Sequence, residues 1–180
     1  MDAVPVDEAR PVDESPPDDR PADDSPAVER TSDRELVVTR TVKGPARLVF
    51  EAWTDAELLR RWWVPESFPI TLLSCETDPR VGGRYRLVFS YEGSTMEFFG
   101  QYLEVTPPTR LAWTNEEDDG EPITTVTFEE TDGGTRVTVH ELYPSKEALD
   151  AAIANGSTGI SAMPESLGQL EELLATLDAA

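Results

Sequence analysis

The chain has 180 residues and a formal net charge of -21 at pH 7, which leaves room for one domain with its own core and a tail. This charge repels nucleic acids and anionic membrane surfaces, so neither is an expected partner. One cysteine excludes an internal disulfide, and with no apolar leader run near the N-terminus the composition predicts a cytoplasmic protein.

The N-terminal segment, residues 1–33, is acidic and rich in proline and contains no aromatic residue. Such a segment cannot bury enough apolar surface to offset the entropy lost on ordering. We therefore predict a disordered tail over residues 1–33 and a folded domain over residues 34–180. Docking of a protein partner on the tail is an alternative that nothing else in the sequence supports.

The folded part opens with a β-branched segment, residues 36–42, which predicts a first strand. Two short helices are predicted next. Pro45 is expected at the first position of one helix, where its missing N–H costs nothing. Thr54 and Glu57 have the spacing of a capping box for the other helix. That helix is expected to end at paired tryptophans, and the second of them, Trp63, would form the lip of a groove.

Six further strands are predicted from β-branched and aromatic runs separated by turn residues. They cover residues 70–78, 83–90, 96–105, 111–114, 123–130 and 135–142. Short turns join them, so consecutive strands are expected to pair antiparallel. Alternation places one set of side chains on an inner face. This set comprises Tyr85, Leu87, Phe89, Leu111, Trp113, Val126, Phe128, Val137 and Val139. Residues 96–105 carry apolar side chains on both faces and allow no assignment.

The end of the chain predicts a helical region with Ser145 as an N-cap. Its apolar residues recur every three or four positions and form one stripe. They are Ile160, Met163, Leu167, Leu170, Leu174 and Leu177. The order of elements predicts an α+β fold, in which a curved antiparallel sheet of six to seven strands surrounds a long C-terminal helix. The gap between sheet and helix is the candidate site.

The sequence contains no recognisable catalytic or metal-binding constellation. A metal site needs three or four ligands, whereas His140 and Cys75 are the only residues of their kinds and His140 is expected to face outward. Glu76 and Asp78 share a strand face near Arg80 and are weak candidates for a general acid/base pair. We therefore predict no catalytic residue, no metal and no cofactor.

Several segments match a known family in their order and spacing. They are residues 49–55, 59–63, 75–83, 100–108, 143–148 and 166–174. Over residues 35–177 the chain resembles the SRPBCC or START-like superfamily, and within it the group similar to the C-terminal domain of the heat-shock protein 90 ATPase activator. Val64, Ala162 and Pro164 depart from the pattern of that group, at the presumed mouth of the groove and along the helix.

The resemblance implies a helix-grip fold with a hydrophobic tunnel between the sheet and the long helix. We accordingly predict binding of a small hydrophobic molecule, namely a lipid, a polyketide or an aromatic compound. The predicted ligand-binding residues are Trp63, Tyr85, Leu87, Phe89, Leu111, Trp113, Phe128, Ile160, Met163 and Leu167. The same residues also fit a closed core, which is the alternative interpretation of any apolar set at this spacing.

Two other functions remain open at this point. One is an enzyme of the polyketide cyclase or aromatase type, for which Tyr85, Tyr102 and Ser74 are the polar candidates. The other is a co-regulator of the heat-shock protein 90 ATPase, which rests on the resemblance alone. The absence of a catalytic constellation favours a binding protein over a catalyst.

Overall fold

The computed structural model describes residues 28–117, 120–155 and 159–178, so most of the predicted tail lies outside the described residues. Within them an antiparallel sheet of eight strands is combined with four α-helices. The strands are β1 Glu29–Ser32, β2 Glu35–Val42, β3 Thr71–Thr77, β4 Arg84–Tyr91, β5 Ser94–Thr106, β6 Arg110–Thr114, β7 Ile123–Thr131 and β8 Gly134–Leu142. The helices are α1 Ala46–Thr54, α2 Ala56–Trp62, α3 Lys146–Ala154 and α4 Met163–Asp178, and a 3-10 turn, Gly159–Ala162, precedes α4.

The strands follow the order β1-β2-β8-β7-β6-β5-β4-β3, and each neighbouring pair is antiparallel. The register shifts in β3–β4 and again in β5–β6. Such irregularities bend a strand and increase its twist. The sheet therefore curves, with α4 packed against β2 and α2, α1 against β7 and β8, and α2 against β3. This arrangement confirms the predicted α+β helix-grip fold.

The eighth strand, β1, corrects the boundary predicted between tail and domain at residue 33. Glu29 pairs with Val37 and Arg30 with Leu36 across β1 and β2. The guanidinium of Arg30 also lies 2.7 Å from the carboxylate of Asp150 in α3. Main-chain pairing and this ion pair hold the segment in place. Because the segment is polar and shows no apolar alternation, its sequence did not predict a strand.

The starts of the two short helices differ from the prediction by one residue. Pro45 is the N-cap, and α1 begins at Ala46. The N-cap of α2 is Asp55, whose carboxylate accepts two backbone N–H groups of the first turn at 2.9 and 3.1 Å. Thr54 still belongs to α1, where its hydroxyl donates to the carbonyl of Phe50 at 3.0 Å. The proposed capping box is therefore wrong, although the helix boundary is nearly right.

The C-terminal region buries the predicted stripe except for its last residue, Leu177, which is half-buried. Ile160, Met163, Leu167, Leu170 and Leu174 are all buried. Ser145 caps α3 as predicted, accepting a hydrogen bond from the N–H of Ala148 at 3.1 Å. Pro164 lies in the first turn of α4, where no donor is needed. None of the described helices has the length and the apolar character required to cross a membrane.

Candidate ligand-binding cavity

A cavity lies between the two short helices and strands β4, β5 and β6. Its lining residues are Trp53, Leu59, Trp63, Tyr85, Leu87, Phe98, Tyr102, Trp113 and Asn115. The cavity volume is about 50 Å³. A void of that size has room for about four water molecules and is smaller than the roughly 150 Å³ of an apolar cavity that holds benzene. The walls are aromatic and aliphatic with few polar groups, which is the usual composition of a small-molecule site.

Trp53 of α1 is the centre of the helical wall. Its ring centroid lies 4.7 Å from that of Trp62, 5.8 Å from that of Trp63 and 5.9 Å from that of Trp113. The contacts with Trp62 and Trp63 are edge-to-face, a geometry that adds about 0.5–1.5 kcal/mol per pair beyond area burial. Trp62 is fully buried and supports this wall from behind, with its indole N–H donating to the carbonyl of Ala52 at 3.0 Å.

Tyr85 and Asn115 form a polar end of the cavity. Their side chains already make hydrogen bonds to other groups of the protein. The Tyr85 hydroxyl donates to the carbonyl of Thr114 at 2.6 Å and lies 3.2 Å from the side-chain oxygen of Asn115. The Asn115 amide donates to the carbonyl of Pro122 at 2.8 Å and to the hydroxyl of Thr124 at 2.9 Å. Burial, reinforced by nearby carboxylates, raises the pKa of Tyr85, so this hydroxyl stays protonated.

Tyr102 and Trp53 are the two lining residues with an unused donor. Tyr102 is buried, and its hydroxyl donates no hydrogen bond within the described part of the chain. Burial, the largest cause, raises the pKa of Tyr102, so it stays a neutral donor. Among the described residues, the indole nitrogen of Trp53 is the one buried side-chain polar atom without a hydrogen-bond partner.

The mouth of the cavity lies beside Phe98 and Trp63. Phe98 is opposite Leu87 in the β4–β5 register, so both side chains project from the inner face, yet Phe98 is 42 % exposed. On the other side, α4 fixes the chain that follows α2. The Ser166 hydroxyl donates to the carbonyl of Trp63 at 2.8 Å, and the Gln169 amide reaches the next residue.

The predicted ligand-binding residues divide into two groups. Four of them, Trp63, Tyr85, Leu87 and Trp113, line the cavity. The other six are buried in the core beyond its lining, namely Phe89, Leu111, Phe128, Ile160, Met163 and Leu167. The described lining residues come from the short helices and β4–β6 together with their adjoining residues, so this cavity does not lie against the C-terminal helix as the tunnel prediction expected.

Five lining residues were absent from that predicted set: Trp53, Leu59, Phe98, Tyr102 and Asn115. Tyr102 had been considered only as a polar group for catalysis. Trp53 and Leu59 follow helical spacing, which is equally typical of a closed core. Phe98 belongs to the strand with apolar residues on both faces, and Asn115 begins a polar loop without periodicity.

The other residues considered for chemistry lie outside the cavity lining. Ser74 pairs with a residue on the outer face of β4, whereas Cys75 faces inward as a free, half-buried thiol. Burial raises the pKa of that thiol to about 11. Asp78 and Arg80 form an exposed ion pair at 2.8 Å. Within the described residues, no group of three or more histidine, cysteine, aspartate or glutamate side chains is arranged to hold a metal.

Comparison with known proteins adds two findings. The sequence model of the family described as activator of Hsp90 ATPase homolog 1-like protein matches residues 43–175. A comparison with curated proteins finds no match.

Solved structures with the same fold come from several bacteria. A Rhodobacter sphaeroides protein is 25 % identical, with 84 % of this chain and 99 % of that chain covered and a TM-score of 0.74. A Nitrosomonas europaea protein is 27 % identical, with 84 % and 100 % covered and a TM-score of 0.70. An AHSA1-like protein of Aeromonas hydrophila, at 22 % identity, 81 % and 95 % coverage and a TM-score of 0.62, shows the fold alone.

Proposed function

The chain belongs to the family of activator of Hsp90 ATPase homolog 1-like proteins, within the SRPBCC superfamily, and on this premise we propose that it binds a small apolar or aromatic molecule in the cavity between the short helices and β4–β6. The observation that carries the proposal is the aromatic cavity itself. Protein interiors are close-packed and contain few voids larger than a water molecule. A void of this size costs on the order of 1 kcal/mol in lost packing, which an occupant would recover.

The size of the cavity restricts the ligand. Pockets that enclose drug-sized molecules have volumes of about 300–1,000 Å³, far above the value found here. A whole lipid or polyketide would therefore extend out of the mouth past Phe98, whose side chain is exposed. A compound built on one ring is the smallest of the three classes and would extend least beyond the enclosed part, so the aromatic class is the best supported of the three that the sequence suggested.

The lining supports binding over catalysis. The described lining residues include no carboxylate, histidine, lysine or arginine. Of the three polar candidates for an enzyme, Ser74 lies on the outer face and Tyr85 is already bonded to Thr114. Tyr102 remains, and because its pKa is raised it can donate a proton in a hydrogen bond but is a poor base.

Tryptophan emission offers a direct test, since three of the four tryptophans of the chain line the cavity. Titration with one-ring compounds such as toluene should change that emission and raise the melting temperature, because a ligand that binds only the native state stabilises it. Native mass spectrometry of protein purified gently from its host would reveal a resident molecule. If no compound at large excess changes either signal, the cavity is a packing void and the proposal fails.

A matched pair of variants locates the binding. Leu59→Phe adds volume at a lining residue of α2 and should weaken binding at least tenfold, while Leu103→Phe adds the same volume at an exposed position of β5 and should not. Circular dichroism establishes that both variants fold. Equal binding by the two would place the ligand elsewhere. Regulation of an Hsp90 ATPase, which the family description names, stays a prediction that a pull-down with the host chaperone would test.

A further inference from the structure

One hydroxyl of the cavity lining, that of Tyr102, has no hydrogen-bond partner among the described residues, whereas the Tyr85 hydroxyl is bonded to Thr114. Resting on the binding function above, we propose that it selects an uncharged one-ring compound that carries a hydrogen-bond acceptor, such as an aryl ketone, and that the Tyr102 hydroxyl donates to that acceptor. Tyr102 lines the cavity and is buried, and its hydroxyl donates to no described residue. A hydroxyl in this position is satisfied when an acceptor enters the cavity.

Trp53 does not share this role. Its side chain lines the cavity and its indole N–H has no partner among the described residues, but that nitrogen is fully shielded from solvent, so an acceptor inside the cavity does not reach it. The Tyr102 hydroxyl is therefore the side-chain donor of the described lining that a ligand acceptor can use.

The Tyr85 hydroxyl is used within the protein. It donates to the carbonyl of Thr114 at 2.6 Å and lies 3.2 Å from the side-chain oxygen of Asn115, so it is not available to a ligand acceptor. These oxygens and the tyrosine hydroxyls keep lone pairs, so a ligand donor is also accommodated. The described lining thus distinguishes a ligand that carries an acceptor from one that has none.

Charge excludes an anion. Carboxylates of Glu116, Glu117 and Glu121 contribute to the raised pKa of Tyr85, after burial as the main cause, so the electrostatic potential at this end is negative. The guanidinium of Arg84 lies 3.5 Å from Glu116 and is engaged there. A carboxylate ligand would give up its hydration without gaining a counter-charge from the described lining.

The test compares four probes of equal heavy-atom count: acetophenone, its alkene isostere α-methylstyrene, 1-phenylethanol and benzoate. Affinities are measured by isothermal titration calorimetry on the whole chain. We expect acetophenone and 1-phenylethanol to bind about tenfold more tightly than the alkene, which has no acceptor, and benzoate to bind least. The variant Tyr102→Phe should abolish the preference for ketone over alkene and keep the alkene affinity.

Tyr143→Phe is the matched control, because Tyr143 is a buried tyrosine outside the cavity lining. It should retain the tenfold preference. Equal affinities for ketone and alkene in the unmodified protein, or a preference that survives in Tyr102→Phe, would overturn this inference and leave the binding function standing. If none of the four probes binds, the binding function itself falls, and the inference falls with it.

Discussion

The side-chain amide of Gln169 in α4 donates a hydrogen bond to the carbonyl of Trp62 at 3.0 Å. The same amide reaches the carbonyl of Val64 at 2.8 Å, and its oxygen accepts the N–H of Glu66 at 2.8 Å. One side chain thus satisfies three backbone groups in the loop that follows α2. This loop leads away from the mouth of the cavity. Because Gln169 belongs to α4, the position of the loop depends on that helix.

Gln169→Ala should lower the free energy of unfolding by about 1–3 kcal/mol, because three backbone groups lose their partner and only some regain water. Amide hydrogen exchange over residues 62–68 should accelerate about tenfold. Glu172→Ala, an exposed position of the same helix, is the control and should change neither quantity. Unchanged exchange in Gln169→Ala would show that the loop is held by other contacts.

The two tryptophans in edge-to-face contact, Trp53 and Trp62, should respond differently to replacement by phenylalanine. Trp62→Phe removes the hydrogen bond to the Ala52 carbonyl from a fully buried position and should cost about 2–4 kcal/mol. Trp53→Phe removes the same volume but a donor that has no partner, so a loss smaller by about 1 kcal/mol is expected. Urea unfolding followed by circular dichroism measures both. Equal losses would mean that a bound water satisfies the Trp53 N–H.

Gly100 is required by a close backbone approach. A Cβ at this position would lie 2.0 Å from the carbonyl oxygen of Thr114, the same oxygen that accepts the Tyr85 hydroxyl. Gly100→Ala should therefore separate β5 from β6 locally and cost more than about 3 kcal/mol. Gly133→Ala, with no atom within 4 Å of the added Cβ, should stay within about 0.5 kcal/mol of the parent. Thermal unfolding of the two variants measures both changes in stability, and equal losses would contradict the prediction.

Glu141 is a buried carboxyl on the inner face of β8, where it accepts the Tyr143 hydroxyl at 3.3 Å. Burial raises its pKa from 4.5 to about 7, and Glu121 adds to the rise. The folded state therefore holds this proton more tightly than the unfolded state. The resulting stabilisation is complete below about pH 4.5 and is lost as the pH rises through about 7, a change of about 3 kcal/mol.

Glu141→Gln should remove that pH dependence. Between pH 5 and pH 8, the stability of the parent relative to the variant should fall by a few kcal/mol, on the order of the linkage value. Glu129→Gln, which removes one charge from a 70 % exposed side chain, controls for the change in net charge. A parallel pH profile for the parent and Glu141→Gln would contradict the prediction. The measurement is urea unfolding at each pH.

Much of the fold was predictable because its signals are local. Each of the six strands predicted after the helices corresponds to an observed strand, with ends that agree to within two residues. Alternation placed Tyr85, Leu87 and Phe89 together on the buried face, as observed. Polar and apolar residues alternate there because one face meets the core and the other meets solvent.

The cavity was harder to predict because a lining residue and a core residue have the same periodicity. Leu167 and Leu87 are both buried at regular spacing, yet only Leu87 borders the cavity. The difference arises from how completely neighbouring side chains fill the space, which is a property of packing between elements distant in sequence. Asn115 shows the same limit, since its role depends on contacts with Tyr85 and Thr124.

Strand β1 determines where the domain can be truncated at its N-terminal side. It covers the free side of β2, the strand that contributes the buried Leu36, Val38 and Val42. A fragment that starts at residue 34, the boundary the composition suggested, keeps this core but leaves the outer N–H and C=O groups of β2 unpaired. An uncovered edge strand is a template for pairing with another chain. Such a fragment is expected to self-associate edge to edge, so the few polar residues of β1 serve to cover the edge of β2 rather than to fill the core.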